Sequence, residues 1–305
     1  MIPRDFDVIG YGLSSVDHLC VVRNHPRLDS KQEMVAYEVQ PGGQVPTALV
    51  ALQRWGLQTA YVAAFGSDDA GCMAREALIA DGVDVSATLV RQGVRQQASI
   101  ILIDQVSGER SVLSQPADEL IVGAGELQPE VITAGRVLLM DAVDMEGAIL
   151  AARWAKRAAM LTVLDIDNPA SGIAELLALT DVLVVGSDFP ARLTGTTDVR
   201  RALRQAAAMG PWFVGVTLGP GGVLALVDDQ FHFVPAFPTR VVDSTGAGDL
   251  FHAGCVYGLL QQWPAAQTLR FAAAAAALKC EKLGARPGIP SLEQTEALAQ
   301  SATLG

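Results

Sequence analysis

The residues with the most chemistry stand in one run, Asp243-Ser244-Thr245-Gly246-Ala247-Gly248-Asp249-Leu250-Phe251-His252-Ala253-Gly254. Small residues lead directly into an apolar run, so the spacing predicts a helix from Ala247. The first amides of a helix have no partner within it and carry the positive end of its dipole, which makes the start an anion site. Gly246, Ala247 and Gly248 have little or no side chain, so a phosphate can approach those amides closely. Asp249 falls in the first turn, facing that phosphate. A carboxylate beside a phosphate is repulsive unless it has a task, and accepting the proton of an attacking hydroxyl is one. An acidic first turn is also ordinary helix chemistry, and a lone Gly-Asp says no more than that. The dipole should lower the pKa of Asp249 and make it a weak base. Phosphoryl transfer tolerates a weak base, because positioning matters more than deprotonation in its loose transition state.

Other glycine-bearing segments are less specific singly. Pro41-Gly42-Gly43 precedes a small-residue helix that ends at Gly56, and Thr217-Leu218-Gly219-Pro220-Gly221-Gly222 joins two strand-like runs. Each forms a turn in any case. Asp17 follows the first strand and read alone is a surface aspartate. Gly10-Tyr11-Gly12-Leu13-Ser14-Ser15 has G-x-G but serine at the third glycine, and no acid ends a second strand at the right distance, which argues against a dinucleotide fold. No G-x-x-x-x-G-K phosphate loop is present.

Taken together and in order, these segments resemble the ribokinase-like, pfkB-type carbohydrate kinases over nearly the whole chain. The run from Asp243 resembles the family's carboxyl-terminal motif, Pro41-Gly42-Gly43 its diglycine, Ala63-Ala64-Phe65-Gly66-Ser67-Asp68-Asp69-Ala70-Gly71 its V-G-D-D-x-x-G stretch, and Thr217–Gly222 its T-x-G-x-x-G. The resemblance implies a single three-layer α/β/α sandwich over residues 1–305, with a small β-sheet lid from about 17–40 and 96–116. It implies transfer of the γ-phosphoryl group of ATP, with Mg2+, to a sugar hydroxyl. Asp249 falls on the catalytic base and Gly246, Ala247 and Gly248 on the anion hole. Asp17, Gly42, Gly43 and Thr47 fall on the sugar side, and Thr217, Gly219, Gly222 and Ser187 on the ATP side. Asp243, Thr245 and the carbonyls of Lys279, Lys282 and Gly284 match a monovalent-cation site for K+, although an Asp243–Lys or Asp243–Arg pair is the plain alternative.

The departures bear on the substrate. Thr47 stands where the family carries a sugar-binding asparagine, and a hydroxyl reaches less far. N-x-x-E, which places the magnesium shell, is replaced by Gly186-Ser187-Asp188-Phe189; Ser187 and Asp188, or Asp165 and Asp167 through water, would have to substitute. Val143 aligns with the ribokinase acid that touches the sugar, flanked by Asp141 and Asp144, and Gly288 replaces a cation-binding serine. The stretch Ala276–Pro290, with Thr162–Asp165 and Ala191–Gly195, is similar to sulfofructose kinases; ketohexokinases share Val241-Val242-Asp243 and Lys279-Cys280. No fixed cation can be placed in the sugar pocket, which favours a neutral ketose or related sugar. A nucleoside kinase would need aromatics against a base, and aromatics are only 6% of the chain. A non-catalytic sugar- or nucleotide-binding regulator fits the lost motifs but leaves Asp249 without purpose.

The elements that must hold these residues alternate between strand and helix periods. Strands are expected at 7–12, 59–64, 137–140, 161–165, 182–185, 213–217 and 222–227, and helices at 46–55, 70–80, 146–158, 173–179, 198–208, 247–261 and 265–279. This rhythm implies a mostly parallel sheet covered on both faces. Runs at 19–22, 34–39, 98–103 and 110–114 lack intervening helices and are expected to form a small antiparallel lid. Its open edges favour a homodimer through the lid. The alanines at 272–277 predict tight helix packing, and His252 is expected to pack within its helix.

Acidic residues outnumber basic ones 33 to 22, a net charge of −11, which excludes a phosphate-backbone binder; apolar residues at 50% exclude disorder. The charge still permits ATP, since the phosphate site is made of amides assisted by magnesium, and a strict divalent-cation requirement is expected. The amino terminus lacks the apolar core of a signal peptide, no segment fits one membrane helix, and the four cysteines have no metal or redox spacing. They are expected to be buried and reduced in a cytoplasmic enzyme.

Overall fold

A computed structural model describes residues 5–301. In chain order it runs β1 (Phe6–Tyr11), β2 (Ser15–Val22), β3 (Ala36–Gly42), α1 (Gln44–Arg54), β4 (Thr59–Val62), β5 (Ala64–Gly66), α2 (Asp69–Ala80), β6 (Leu89–Arg91), β7 (Ala98–Asp104), β8 (Arg110–Ser114), α3 (Pro129–Ile132), β9 (Gly135–Met140) and α4 (Met145–Arg157). It continues β10 (Leu161–Asp165), α5 (Ile173–Ala178), β11 (Val182–Gly186), α6 (Phe189–Thr194), α7 (Val199–Ala207), β12 (Phe213–Thr217), β13 (Val223–Val227), β14 (Gln230–Val234), α8 (Ala247–Leu260), α9 (Ala265–Lys279) and α10 (Leu292–Gln300).

An eight-stranded sheet has the order β14-β13-β12-β11-β10-β9-β1-β4. It is parallel from β4 to β12, and β13 and β14 close its other edge antiparallel. Consecutive strand residues point to opposite faces. Val8, Val137, Val163 and Val182 therefore enter one core with Leu49 of α1, Phe251 of α8 and Phe271 of α9. Ile9, Leu138, Leu164 and Leu183 enter the other with Ala151 of α4, Leu176 of α5 and Leu203 of α7. This is the three-layer α/β/α sandwich expected from the strand–helix rhythm. The alanine run does pack tightly: a Cβ on Gly254 of α8 would lie 2.5 Å from the Ala272 Cα of α9.

The lid is a four-stranded sheet, β3-β2-β7-β8. It is mixed, which corrects the antiparallel expectation: β2 runs parallel to β7, while β3 and β8 are antiparallel to their neighbours. Leu19, Ile101 and Ile103 form a small core on its inner face, packed against Leu283. Its outer face exposes Tyr37, Val39, Ile100 and Leu113. The run at 59–64 divides into β4 and β5, the latter pairing with β6 in a separate two-stranded sheet. Among the described residues no helix is long and apolar enough to cross a membrane. All four cysteines are free, and Cys72 is exposed rather than buried.

Candidate active site

The ends of the parallel strands converge where an open α/β sheet presents its ligand crevice. Asp141 follows β9, Asp165 ends β10, Ser187 follows β11 and Thr217 ends β12. The amino terminus of α8 meets them there. Gly246 caps the helix at φ +83, and a Cβ on it would lie 2.6 Å from the Ala285 Cβ, so the capping turn fits tightly against residues 284–285. Gly248, one turn position further, is exposed, and the space where its Cβ would stand is open. Asp249 is half-buried beside it.

The electrostatics of Asp249 differ from the helix-dipole expectation. Burial, helped by the neighbouring Asp165 and opposed by Arg110 and His252, pushes its pKa up to about 8. The dipole of one helix turn contributes less than removing a carboxylate from water beside a second carboxylate. Asp165 is itself buried and held well above its ordinary pKa, with Asp167 adding to the effect. Gln44, the first residue of α1, bridges them: its Nε2 donates to Asp165 Oδ1 and Asp167 Oδ2, both at 3.2 Å. His252 reaches the same group, with Nδ1 3.3 Å from Asp165 Oδ2. Its role therefore goes beyond helix packing.

This acidic cluster offers oxygen donors whose mutual repulsion Gln44 and His252 relieve only in part, which suits a hard divalent cation. Among the described residues no three His, Cys, Asp or Glu side chains converge closely enough to hold a metal directly. Asp165 and Asp167 fit a magnesium ion that keeps its own waters.

Of the residues expected to face a sugar, Asp17 lies in β2 facing inward, 7% exposed, and accepts from Ser15 Oγ at 2.8 Å. Burial raises its pKa, while the Ser15 hydroxyl and Arg286 oppose. Gly42 ends β3 against that carboxylate, and any Cβ there would overlap it. Gly43 caps α1 at φ +99. Thr47 departs from expectation: it is fully buried in α1 with its hydroxyl unpartnered, so it is withdrawn from the cleft wall. Gln44 occupies the accessible position after the diglycine instead. Asp141 is structural, its carboxylate accepting from the Leu13 and Val143 amides at 2.8 and 3.1 Å. Asp144 accepts from the Tyr11 hydroxyl at 3.2 Å, and Val143 is exposed. A fixed cation does exist near this end. Arg286 is 4% exposed and its Nη2 donates to the Gly42 carbonyl at 3.3 Å, while its Nε and Nη1 have no hydrogen-bond partner.

Of the residues expected to hold a nucleotide, Thr217 Oγ1 donates to the Val185 carbonyl at 3.3 Å, and Gly219 and Gly222 hold the turn between β12 and β13 in positive φ. Ser187 and Asp188 are exposed and line a cleft of about 440 Å³ with Arg192, Thr196 and Thr197. Arg110 of the lid was not singled out from sequence. Its Nη1 donates to Ser244 Oγ at 3.1 Å, and the Ser244 amide donates to the Gly108 carbonyl at 3.1 Å, so the lid hairpin touches the loop that starts α8. The segment contains no motif to reveal this, beyond a basic residue after Ser107-Gly108.

Asp243, Thr245, Lys279, Lys282 and Gly284 come together as expected, but around a side chain. Asp243 Oδ1 accepts from the Thr245 amide and hydroxyl at 2.8 and 2.6 Å, and Oδ2 accepts from the Gly284 amide at 2.8 Å. The Lys279 ammonium donates to the carbonyls of Asp243, at 2.7 Å, and Lys282, at 3.3 Å. Burial lowers the Lys279 pKa, and Asp243 opposes that shift.

The pattern of the pfkB family carbohydrate kinases matches residues 6–292. A ribokinase of Haemophilus influenzae is 28% identical over 269 residues, covering 85% of this chain and 87% of its own. A fructokinase of Klebsiella pneumoniae is 28% identical over 240 residues, covering 72% of this chain and 76% of its own. The crystal structure of a candidate ribokinase from Agrobacterium tumefaciens superposes with a TM-score of 0.87 at 28% identity, covering 97% of each chain.

Proposed function

This chain belongs to the pfkB family of carbohydrate kinases, and from that premise we propose that it transfers the γ-phosphoryl group of ATP to a hydroxyl of a ketose-like or related monosaccharide. The observation that carries the reading is Asp249, half-buried in the first turn of a helix whose start is open and lined by amides. Its raised pKa makes it a stronger base than a solvent-exposed aspartate.

In this reading the sugar lies between Asp17 and the diglycine on one side and Asp249 on the other. The amides of Gly246, Ala247 and Gly248 receive the γ-phosphoryl group. Thr217, Gly219, Gly222 and Ser187 hold the nucleotide. Asp165 and Asp167 would hold magnesium through water, and the ion would supply charge neutralisation on the phosphates. Asp249 aligns the attacking hydroxyl and takes its proton. The lid excludes water that would compete as acceptor, and Arg110 joins it to the Ser244 loop.

The ketose reading rests on the shared Val241-Val242-Asp243 and Lys279-Cys280 segments. Among the described residues no exposed arginine or lysine adjoins Asp17, and this keeps a neutral sugar ahead of a sulfosugar, although the Nε and Nη1 of the buried Arg286 have no partner. The exposed apolar outer face of the lid supports a homodimer formed through it.

ADP release measured over a panel of ketoses, pentoses, nucleosides and sulfosugars tests the reading. A ketose with the highest kcat/KM is expected. Turnover only with nucleosides would replace the acceptor class. Sugar and ATP binding without turnover would make the protein a regulator. Sedimentation of the protein against a Tyr37→Glu variant tests the dimer.

A further inference from the structure

The Lys279 ammonium stands where a monovalent metal ion was expected, and it has the properties of a resident ion. Lys279 is the last residue of α9 and is fully buried. Its nitrogen faces acceptors, the Asp243 carbonyl at 2.7 Å, the Lys282 carbonyl at 3.3 Å and Asp243 Oδ2 at 3.8 Å. The backbone carbonyls of Asp243 and Lys282 are thus committed to an ammonium, and the Asp243 carboxylate faces it. Asp243 has spent its remaining capacity on Thr245 and Gly284. A second monovalent cation would share a buried cage with a like charge.

Position 288 fits the same account. A Cβ on Gly288 would lie 3.0 Å from the Lys279 Cε and 2.8 Å from the Lys279 carbonyl. Glycine leaves the corridor through which the lysine side chain enters the cage, and a serine there would crowd it. Lysine at 279 and glycine at 288 therefore act as a pair.

The cage adjoins the phosphate site. Asp243 and Thr245 lead directly into Gly246, and residues 284–285, tied to Asp243 through the Gly284 amide, pack against Gly246. A positive charge here fixes the loop that aims the first amides of α8. We propose that the Lys279 ammonium replaces the exchangeable monovalent cation in this chain, holding the Gly246–Gly248 amides in place and freeing the enzyme from potassium. Lys279 is a positioning residue: it acts through Asp243 and touches neither substrate. Only the turnover arm of the test rests on the kinase reading.

Two measurements test it. For the wild-type protein, turnover and melting temperature are compared in potassium chloride and in tetramethylammonium chloride at equal ionic strength. Both should agree, turnover within about twofold; potassium activation of about tenfold or more overturns the proposal. For Lys279→Ala, turnover in tetramethylammonium should fall about tenfold or more. Potassium or ammonium ions should restore part of it and raise the melting temperature, since they bind only the folded cage. Lys279→Met, which refills the corridor without charge, should show no such rescue. A folded Lys279→Ala protein indifferent to these ions in both readouts overturns the proposal. The melting readout needs no substrate, so a wrong acceptor class leaves it standing. Should Lys279→Ala fail to fold, the wild-type ion comparison decides alone.

Discussion

His252 and Asp165 meet inside the protein, Nδ1 to Oδ2 at 3.3 Å, and this contact ties the helix that carries Asp249 to the end of β10. The same ring nitrogen lies 2.9 Å from the Gly248 carbonyl, and Nε2 lies 2.9 Å from the Val184 carbonyl on β11. Both nitrogens thus face acceptors. Burial lowers the His252 pKa, and a neutral ring donates to only one of them. One contact is left without a proton unless the ring is charged.

His252→Ala should therefore cost stability and alignment together. Losing buried hydrogen bonds at this junction is worth about 1–3 kcal/mol, read as a lower melting temperature. Turnover should fall with little change in sugar KM, because Asp249 moves and Asp17 does not. An unchanged kcat in a folded variant would show that the junction is purely structural.

Asp249→Asn preserves shape and removes the base. Turnover should fall about 100- to 10,000-fold, the range of a lost general base. ATP binding should persist, and it should tighten above about pH 8, where the wild-type side chain would be an ionised carboxylate facing the phosphates. Calorimetry with a non-hydrolysable ATP analogue, alongside the ADP assay, separates the two effects. Turnover near the wild-type value would remove Asp249 from the role assigned to it.

Much of this site was legible in the chain. The Gly246–Asp249 segment, the diglycine and the turn at Gly219–Gly222 are local patterns, and the strands that carry them show clear periodicity. What escaped depends on residues far apart in sequence. Arg110 and Ser244 are 134 positions apart, and Gln44 and Asp165 are 121 apart. The rise in the Asp249 pKa needs burial beside Asp165, which no helix-start pattern encodes. The parallel pairing of β2 with β7 escaped for a similar reason, since side-chain alternation is the same beside a parallel or an antiparallel neighbour. Lys279 carried a visible lysine code, but only its packing sends the ammonium into the Asp243 cage.

The buried carboxylates also set a pH dependence of stability. Unfolded aspartates titrate near ~3.9. In the ligand-free fold Asp141 is pushed up to about 6 and Asp249 to about 8. Below the unfolded value both states are protonated, and the contribution of these groups is fully present. As pH rises through the folded values the protons are lost and the contribution disappears. The melting temperature of the ligand-free protein should decline between roughly pH 4 and 8, from the unfolded value to the higher folded one. Asp249→Asn should flatten the upper part of that decline. Magnesium should stabilise more at the alkaline end, where the Asp165–Asp249 cluster is ionised. A melting curve flat across this range would contradict the assignment.

The two glycines flanking Ala247 separate the fold of the anion hole from its chemistry. Gly246 has φ +83 and no room for a Cβ, which would press on Ala285. Gly246→Ala should lower the melting temperature and turnover together, because the capping turn must open. Gly248 lies inside α8, and the space beside it holds no protein atom within 4 Å of a Cβ. Alanine is the better helix former there by up to about 1 kcal/mol, so Gly248→Ala should melt at the same temperature or higher. Its methyl group would nevertheless project into the space assigned to the transferring phosphoryl group. Turnover should then drop about 100-fold or more, comparable to losing one oxyanion donor. A stable Gly248→Ala protein that turns over normally would mean that the phosphate does not lie on these amides.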